Sequence, residues 1–282
     1  MAVKLQIKSG DFGGLFFCGG HKKMIPSKHH QSMRKNPSAI LIALLLLIAG
    51  YSCNTSYQTA ALQYKSYRIS DGQQKDSSLL KFLQPYGDQV NSTMNEVIGV
   101  AAISLDKVQP ECTLGNFMVD AFMAMASEKY NTKVDGALVN FGGMRLTQLP
   151  KGNITTGKIF ELMPFDNLLL LQKMKGAVLQ QLLDLAAAKG GWPLAGITMQ
   201  IRDKKAVNIK VGGQPLDPNA TYTIANSDFI ANGGDNADML RPIPQITNGY
   251  LMRDAIIDYI KKQKAAGKEI SSTIENRVTN AQ

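Results

Sequence analysis

Apolar residues recur with helical spacing along the middle of the chain. Leu114, Phe117, Met118, Ala121, Phe122 and Met125 fall at i, i+3, i+4, i+7, i+8 and i+11, one buried stripe of a helix. This helix is expected from about Leu114 to Lys129, with Thr113 as its N-cap. A second amphipathic helix is predicted over Gly176–Lys189, with Leu179, Leu182, Leu183 and Ala186 on one face, ending at Gly190-Gly191. A short helix is expected at 155–163 and a last one at about Tyr250–Gln263. Leu79–Val97 predicts helix in two pieces, broken near Pro85 and Gly87. Apolar runs predict strands at Val97–Leu105, Gly136–Asn140, Leu168–Met174, Gly196–Ile201, Val207–Val211 and Thr221–Asn226, with an edge strand at 62–70. Strands and helices alternate, so the expected fold class is α+β: a mixed β-sheet flanked by α-helices, in a single globular domain over residues 79–282.

The most apolar run, residues 40–50, belongs to none of these elements. Arg34 and Lys35 precede it and Tyr51-Ser52-Cys53 follows. A basic segment, a short apolar core and a small residue before a cysteine predict a lipoprotein signal peptide over 33–52. Met33 is its natural start, and Cys53 is the residue expected to carry the lipid. Tyr51 is bulky for its place, and an uncleaved anchor is the alternative; the run is short for a full span. Residues 1–32 are expected to be a mis-called start or an extension outside the fold, and 53–78 a tether with the edge segment. The protein is expected to be exported and held in the cell envelope by more than one acyl chain.

Setting aside residues 1–52 changes the composition. Those residues hold seven Lys/Arg and one Asp, or +6 of the formal +9, which leaves +3 for the remainder. That balance removes the case for a nucleic-acid partner. All three histidines, His21, His29 and His30, lie in the excluded part, as does Cys18. With Cys53 lipidated, Cys112 is a lone thiol and no intrachain disulfide is expected. Nucleophilic cysteines usually need a base such as histidine, so Cys112 is expected to be a packed thiol. Metal sites use His, Cys and acids at close spacing. Here Asp120, Asp135, Glu161, Asp166 and Asp184 are scattered, so no metal site, no catalytic residue and no cofactor are expected in this chain. Gly152–Lys158 imitates a phosphate loop, but Ile159 stands where Ser or Thr should follow, and a loop leading into a helix is expected instead.

Two glycine-containing turns at predicted strand ends hold the candidate binding chemistry. These are Asn140-Phe-Gly-Gly-Met-Arg145 and Phe229-Ile-Ala-Asn-Gly-Gly-Asp235. Loops at strand ends are where sheet proteins bind ligands. Asn140 offers amide donors and an acceptor, and Arg145 a rigid cationic fork. Asp235 can accept hydrogen bonds from a ribose diol. Phe165 and Phe229 sit beside polar, Gly-rich chain, which suits rings that stack on a planar ligand; turns with ordinary buried aromatics are the other reading.

Taken in order, the motifs resemble the C-terminal domain of the 5′-nucleotidase family. They are Glu111-Cys-Thr-Leu-Gly-Asn116 with Asp120-Ala121, Asn140-x-Gly-Gly-x-Arg145, Pro164-Phe165-x-Asn167, Lys175-Gly176, Asn232-Gly-Gly-Asp235 and Asn276-Arg277-Val278. The resemblance implies that Phe165 and Phe229 sandwich a base and that Asp235 holds ribose hydroxyls. Asn140 and Arg145 would contact the ribose or phosphate region. An arginine common shortly before the Glu111 motif is replaced here by Lys107-Val-Gln-Pro110, so that contact is missing or is taken by Lys107. Complete enzymes of the family carry a second, metal-binding domain that hydrolyses the nucleotide, and the expectation is that it lies outside this chain. Two functions stay open: recognition subunit of a nucleotidase split with a separate metallophosphoesterase, or stand-alone nucleoside- or nucleotide-binding lipoprotein. A structural envelope protein with a decayed site is a third reading.

Overall fold

The computed structural model describes residues 76–281. The expected signal segment 33–52, Cys53, the three histidines and the edge strand at 62–70 lie outside the described residues. The first element is helix α1 (Ser77–Met94), which runs unbroken through Pro85 where the sequence predicts two pieces. Asp76 caps it, its Oδ1 accepting from the amides of Ser78 and Leu79 at 2.9 and 3.1 Å. Proline removes one intrahelical hydrogen bond and crowds the carbonyl four residues back. No residue of α1 is buried, so water can satisfy that carbonyl and the helix continues.

Strands β1 (Val97–Ala101) and β2 (Leu105–Asp106) replace the single strand expected there. Helix α2 (Thr113–Lys129) buries every residue of its predicted stripe. Its N-cap is Cys112 rather than Thr113. The Cys112 Sγ accepts from the Gly115 amide at 3.2 Å, while the Thr113 hydroxyl accepts from the Asp106 amide at 2.9 Å and so serves β2. Next come β3 (Gly136–Leu138), β4 (Gln148–Leu149), β5 (Gly152–Thr155) and α3 (Thr156–Leu162). The imitation phosphate loop is therefore a strand running into a helix, not a loop. β5 pairs antiparallel with β1, and the Lys158 Nζ sits 2.6 Å from Glu161 Oε2. The chain continues through β6 (Leu169–Lys175), α4 (Gly176–Ala188), β7 (Leu194–Ala195), β8 (Ile197–Arg202), β9 (Lys205–Val211) and β10 (Gln214–Pro215). It closes with β11 (Thr221–Ser227), α5 (Asp228–Ala231), β12 (Gln245–Ile246), α6 (Met252–Ala265) and β13 (Val278–Asn280).

The central sheet has five strands in the order β12-β6-β11-β3-β7. It is mixed: β11 runs parallel to β3 and antiparallel to β6. Side chains alternate across a strand, and here both faces are buried. Ala137, Leu169, Leu171 and Ala225 join one core with the α2 stripe, whereas Leu138, Met174 and Ile224 join a second with Leu179, Leu182 and Leu183 of α4. Burial on both faces explains why β6 reads as a continuous apolar run rather than an alternating one. A four-stranded sheet, β10-β9-β8-β13, lies beside α4, and β13 joins it parallel to β8.

Several motif residues brace this architecture. Glu111, buried before α2, accepts from the Asn116 side chain at 2.7 Å and from the amides of Glu275 and Val278 at 2.8 and 3.4 Å. Arg277 donates to both carboxylate oxygens of Asp120 at 2.6 and 2.9 Å. Together they pin the C-terminal segment that becomes β13. Cys112 follows Glu111 in the chain and is buried, and burial pushes its thiol up from its ordinary range. The thiolate is the reactive form, so Cys112 is expected to resist alkylation by iodoacetamide in the native protein and to react on denaturation. Peptide mass spectrometry reads the site; rapid native labelling at Cys112 would refute this.

Candidate functional site

The parallel strands β3 and β11 end on the same edge of the central sheet, next to the antiparallel start of β6. Each end opens into one of the motif loops. After β3, Asn140 leads into a short 3-10 turn over Phe141–Gly143. After β11, Ser227 caps α5 by accepting from the Ile230 amide at 3.1 Å, which sets Phe229 in the first turn. Before β6 comes Phe165. Asp228 ties the last two together: its Oδ1 accepts from the Leu168 amide at 3.1 Å and the Phe229 amide at 2.8 Å.

The three loops enclose a cavity of about 380 Å³, lined by Asn140, Gly142, Gly143, Arg145, Phe165, Asn167, Phe229 and Asp235. All five residues singled out from the sequence line it, and Asn167 and the two glycines are additions. Phe165 and Phe229 are 49% and 45% exposed, in a domain whose other described phenylalanines after residue 100 are buried or half-buried. The reading of these two rings as core aromatics therefore falls. Gly234 makes the Phe229 position possible, since a Cβ there would lie 2.6 Å from the ring. Asp235 follows in left-handed backbone, φ 56°, a conformation tolerated by Asp and Asn better than by most side chains.

Polar contacts fix the opposite wall. The Asn140 side-chain amide donates to Asp235 Oδ2 at 2.6 Å, and Lys189 at the end of α4 lies 3.6 Å from Oδ1. Arg145 places its guanidinium 5.3 Å from the centre of the Phe165 ring. Lys107 does not line this cavity. Its ammonium donates to the Met144 carbonyl at 2.7 Å and lies 4.3 Å from the Phe141 ring. Burial, with Arg145 nearby, holds it below the usual lysine range. The cavity thus offers two exposed aromatic faces, one carboxylate held in place and one cationic fork, the set a planar base carrying a sugar and a negative group would need.

A family model described as "5′-nucleotidase, C-terminal domain" matches residues 90–242. The chain belongs to this family. Protein UshA of Yersinia enterocolitica is 28% identical over 194 residues, covering 67% of this chain and 35% of its own length. A Listeria monocytogenes cell wall protein is 31% identical over 215 residues, covering 67% of this chain and 27% of its own. The crystal structure of a 5′-nucleotidase precursor from Thermus thermophilus superposes with a TM-score of 0.62 at 28% identity, covering 73% of this chain and 42% of that one. The chain therefore spans about a third of the length of UshA.

The donor set does not fit a phosphoesterase metal centre. Such centres gather His, Cys or carboxylate ligands around the ion. Among the described residues no three His, Cys, Asp or Glu side chains converge. The one carboxylate in the cavity, Asp235, is already engaged by Asn140 and Lys189. No metal-dependent step follows from these residues.

Proposed function

We propose that this chain is the nucleoside- or nucleotide-recognition part of an exported 5′-nucleotidase-like system, in which hydrolysis is performed by a separate metallophosphoesterase that carries the divalent metals. The observation behind this reading is the pair of half-exposed rings, Phe165 and Phe229, on two loops joined through Asp228 and facing one cavity with Asp235. The rings stack on the two faces of the base, Asp235 accepts from ribose hydroxyls, and Asn140 holds Asp235 while facing the sugar. Arg145 takes the charged end of the ligand. Cys53 tethers the domain to the envelope membrane through lipid, and nucleic acid is not a partner. The absence of histidine from residues 53–282 supports assigning the hydrolytic step to another chain.

Calorimetry of the purified protein with adenosine and with AMP is expected to give saturable heats. The same preparation is expected to release no phosphate from AMP with Mn²⁺ or Zn²⁺. Chelator-sensitive turnover by homogeneous protein would sink the division of labour, and an absence of heat with every nucleoside would sink the recognition role. Addition of a metallophosphoesterase from the same envelope should raise nucleotide hydrolysis. Unchanged activity there would favour the stand-alone binding lipoprotein.

A further inference from the structure

We propose that Arg253 is a positioning residue: it fixes the loop that carries Phe165 and so sets the geometry of one wall of the cavity. This inference rests on the nucleoside-recognition reading above. Arg253 is the second residue of α6 and is only 7% exposed. Its guanidinium lies 4.0 Å from the centre of the Phe160 ring on α3. One terminal nitrogen points to the carbonyls of Met163 and Phe165, at 3.4 and 3.5 Å. The other donates to Asp166 Oδ1 at 2.6 Å. All of these partners belong to the end of α3 or to the loop between α3 and β6. Met252, beside it, donates its amide to the Asn167 carbonyl at 2.9 Å, so the start of α6 grips the loop on either side of Asp166.

Stability alone does not account for this arginine. Burying a guanidinium costs several kcal/mol of desolvation, and its carboxylate partner Asp166 is largely exposed, so the pair offsets little of that cost. The Arg253 Nε is moreover buried with no acceptor among the described residues, a further cost. What an apolar side chain cannot supply is the planar fork that spans two carbonyls and a carboxylate at once. The loop it holds contains Phe165, the half-exposed ring that needs a fixed orientation to stack.

The test is a double-mutant cycle in the full chain, read by calorimetry with adenosine, on Arg253→Met, Phe165→Ala and the pair. Arg253→Met is expected to keep or raise the melting temperature while weakening adenosine binding roughly fivefold, within the range for coupled neighbours. In the Phe165→Ala background it is expected to weaken binding no further. A fivefold loss that persists without Phe165, or a loss explained by partial unfolding, overturns the proposal. Should Arg253→Met not fold, Asp166→Ala carries the same cycle, because the Asp166 side chain is 77% exposed. Hydrogen exchange of the ligand-free variants supplies a readout independent of the ligand. Faster exchange confined to residues 163–168 supports the positioning role, and unchanged exchange there refutes it. Wild-type protein that takes up no adenosine would overturn the function assigned to the cavity; the exchange arm would still decide the role of Arg253.

Discussion

Replacing Phe229 with alanine is expected to weaken adenosine binding by about 1–3 kcal/mol, roughly fivefold to 150-fold, the range for a base stacked on an aromatic side chain. The size follows from the geometry. The ring is nearly half exposed in the free protein, so its removal leaves no large core void, and the loss falls on the ligand instead. Its position is set from three sides: Asp228 accepts from its amide, Ser227 caps the turn, and Gly234 leaves room for the ring. Phe229→Leu keeps apolar contact but has no π face, and an intermediate loss is expected. Gly234→Ala should reproduce part of the Phe229→Ala effect with the ring still present, because a Cβ would lie 2.5 Å from the Phe229 carbonyl and 2.6 Å from its ring and so force both to shift. Equal affinities for wild type and Phe229→Ala, with melting temperatures matched, would remove the stacking model. A fall in melting temperature large enough to unfold the variant would instead mark Phe229 as a structural residue.

Much of this site was legible in the sequence because its signals are local. Phe165 and Phe229 stand out as aromatics in polar, Gly-rich chain, and the loops holding Asn140, Arg145 and Asp235 follow apolar runs of strand length. The α2 stripe was legible for the same reason, being one period repeated over about three turns. The contacts that hold the site are not local. Asn140 meets Asp235 across 95 residues, and Arg253 meets Asp166 across 87. Arg253 lies inside an ordinary amphipathic helix, and only the packing of α6 against α3 turns it toward the loop. Lys189 looks like a routine cation at a helix end until the chain brings Asp235 beside it. Local rules also failed where solvent or a neighbour supplied the missing partner. Pro85 does not break α1, whose residues are all accessible to water, and Thr113 yields the capping position because Asp106 takes its hydroxyl. β4 and β5 are two and four residues long, too short for an alternating pattern, and only their pairing with β2 and β1 identifies them.

The motifs that carry the family resemblance divide into two physical classes, and Glu111 tests the division. Asn140, Arg145, Phe165, Asn167 and Asp235 line the cavity, whereas Glu111, Asn116, Asp120 and Arg277 hold the C-terminal segment to α2. Glu111→Ala would leave the backbone amides of Glu275 and Val278 without their acceptor and would remove one of the two acceptors of the Asn116 amide, which keeps the Thr273 carbonyl. An unsatisfied buried donor costs about 1–3 kcal/mol. Some of these donors would regain water as β13 frays, so the expected net loss is on the order of 3–4 kcal/mol. In a domain of this size that lowers the melting temperature by about 10 °C. Glu275→Ala is the control: its carboxylate is half exposed, and its partner Arg277 keeps both bonds to Asp120, so the loss is expected to be about 1 kcal/mol or less. Because Glu111 does not line the cavity, the folded fraction of Glu111→Ala should bind adenosine with wild-type affinity. Calorimetric melting and adenosine titration of the same samples separate the two roles. A change in affinity with unchanged stability would place Glu111 in the recognition machinery and abolish the distinction between brace and site.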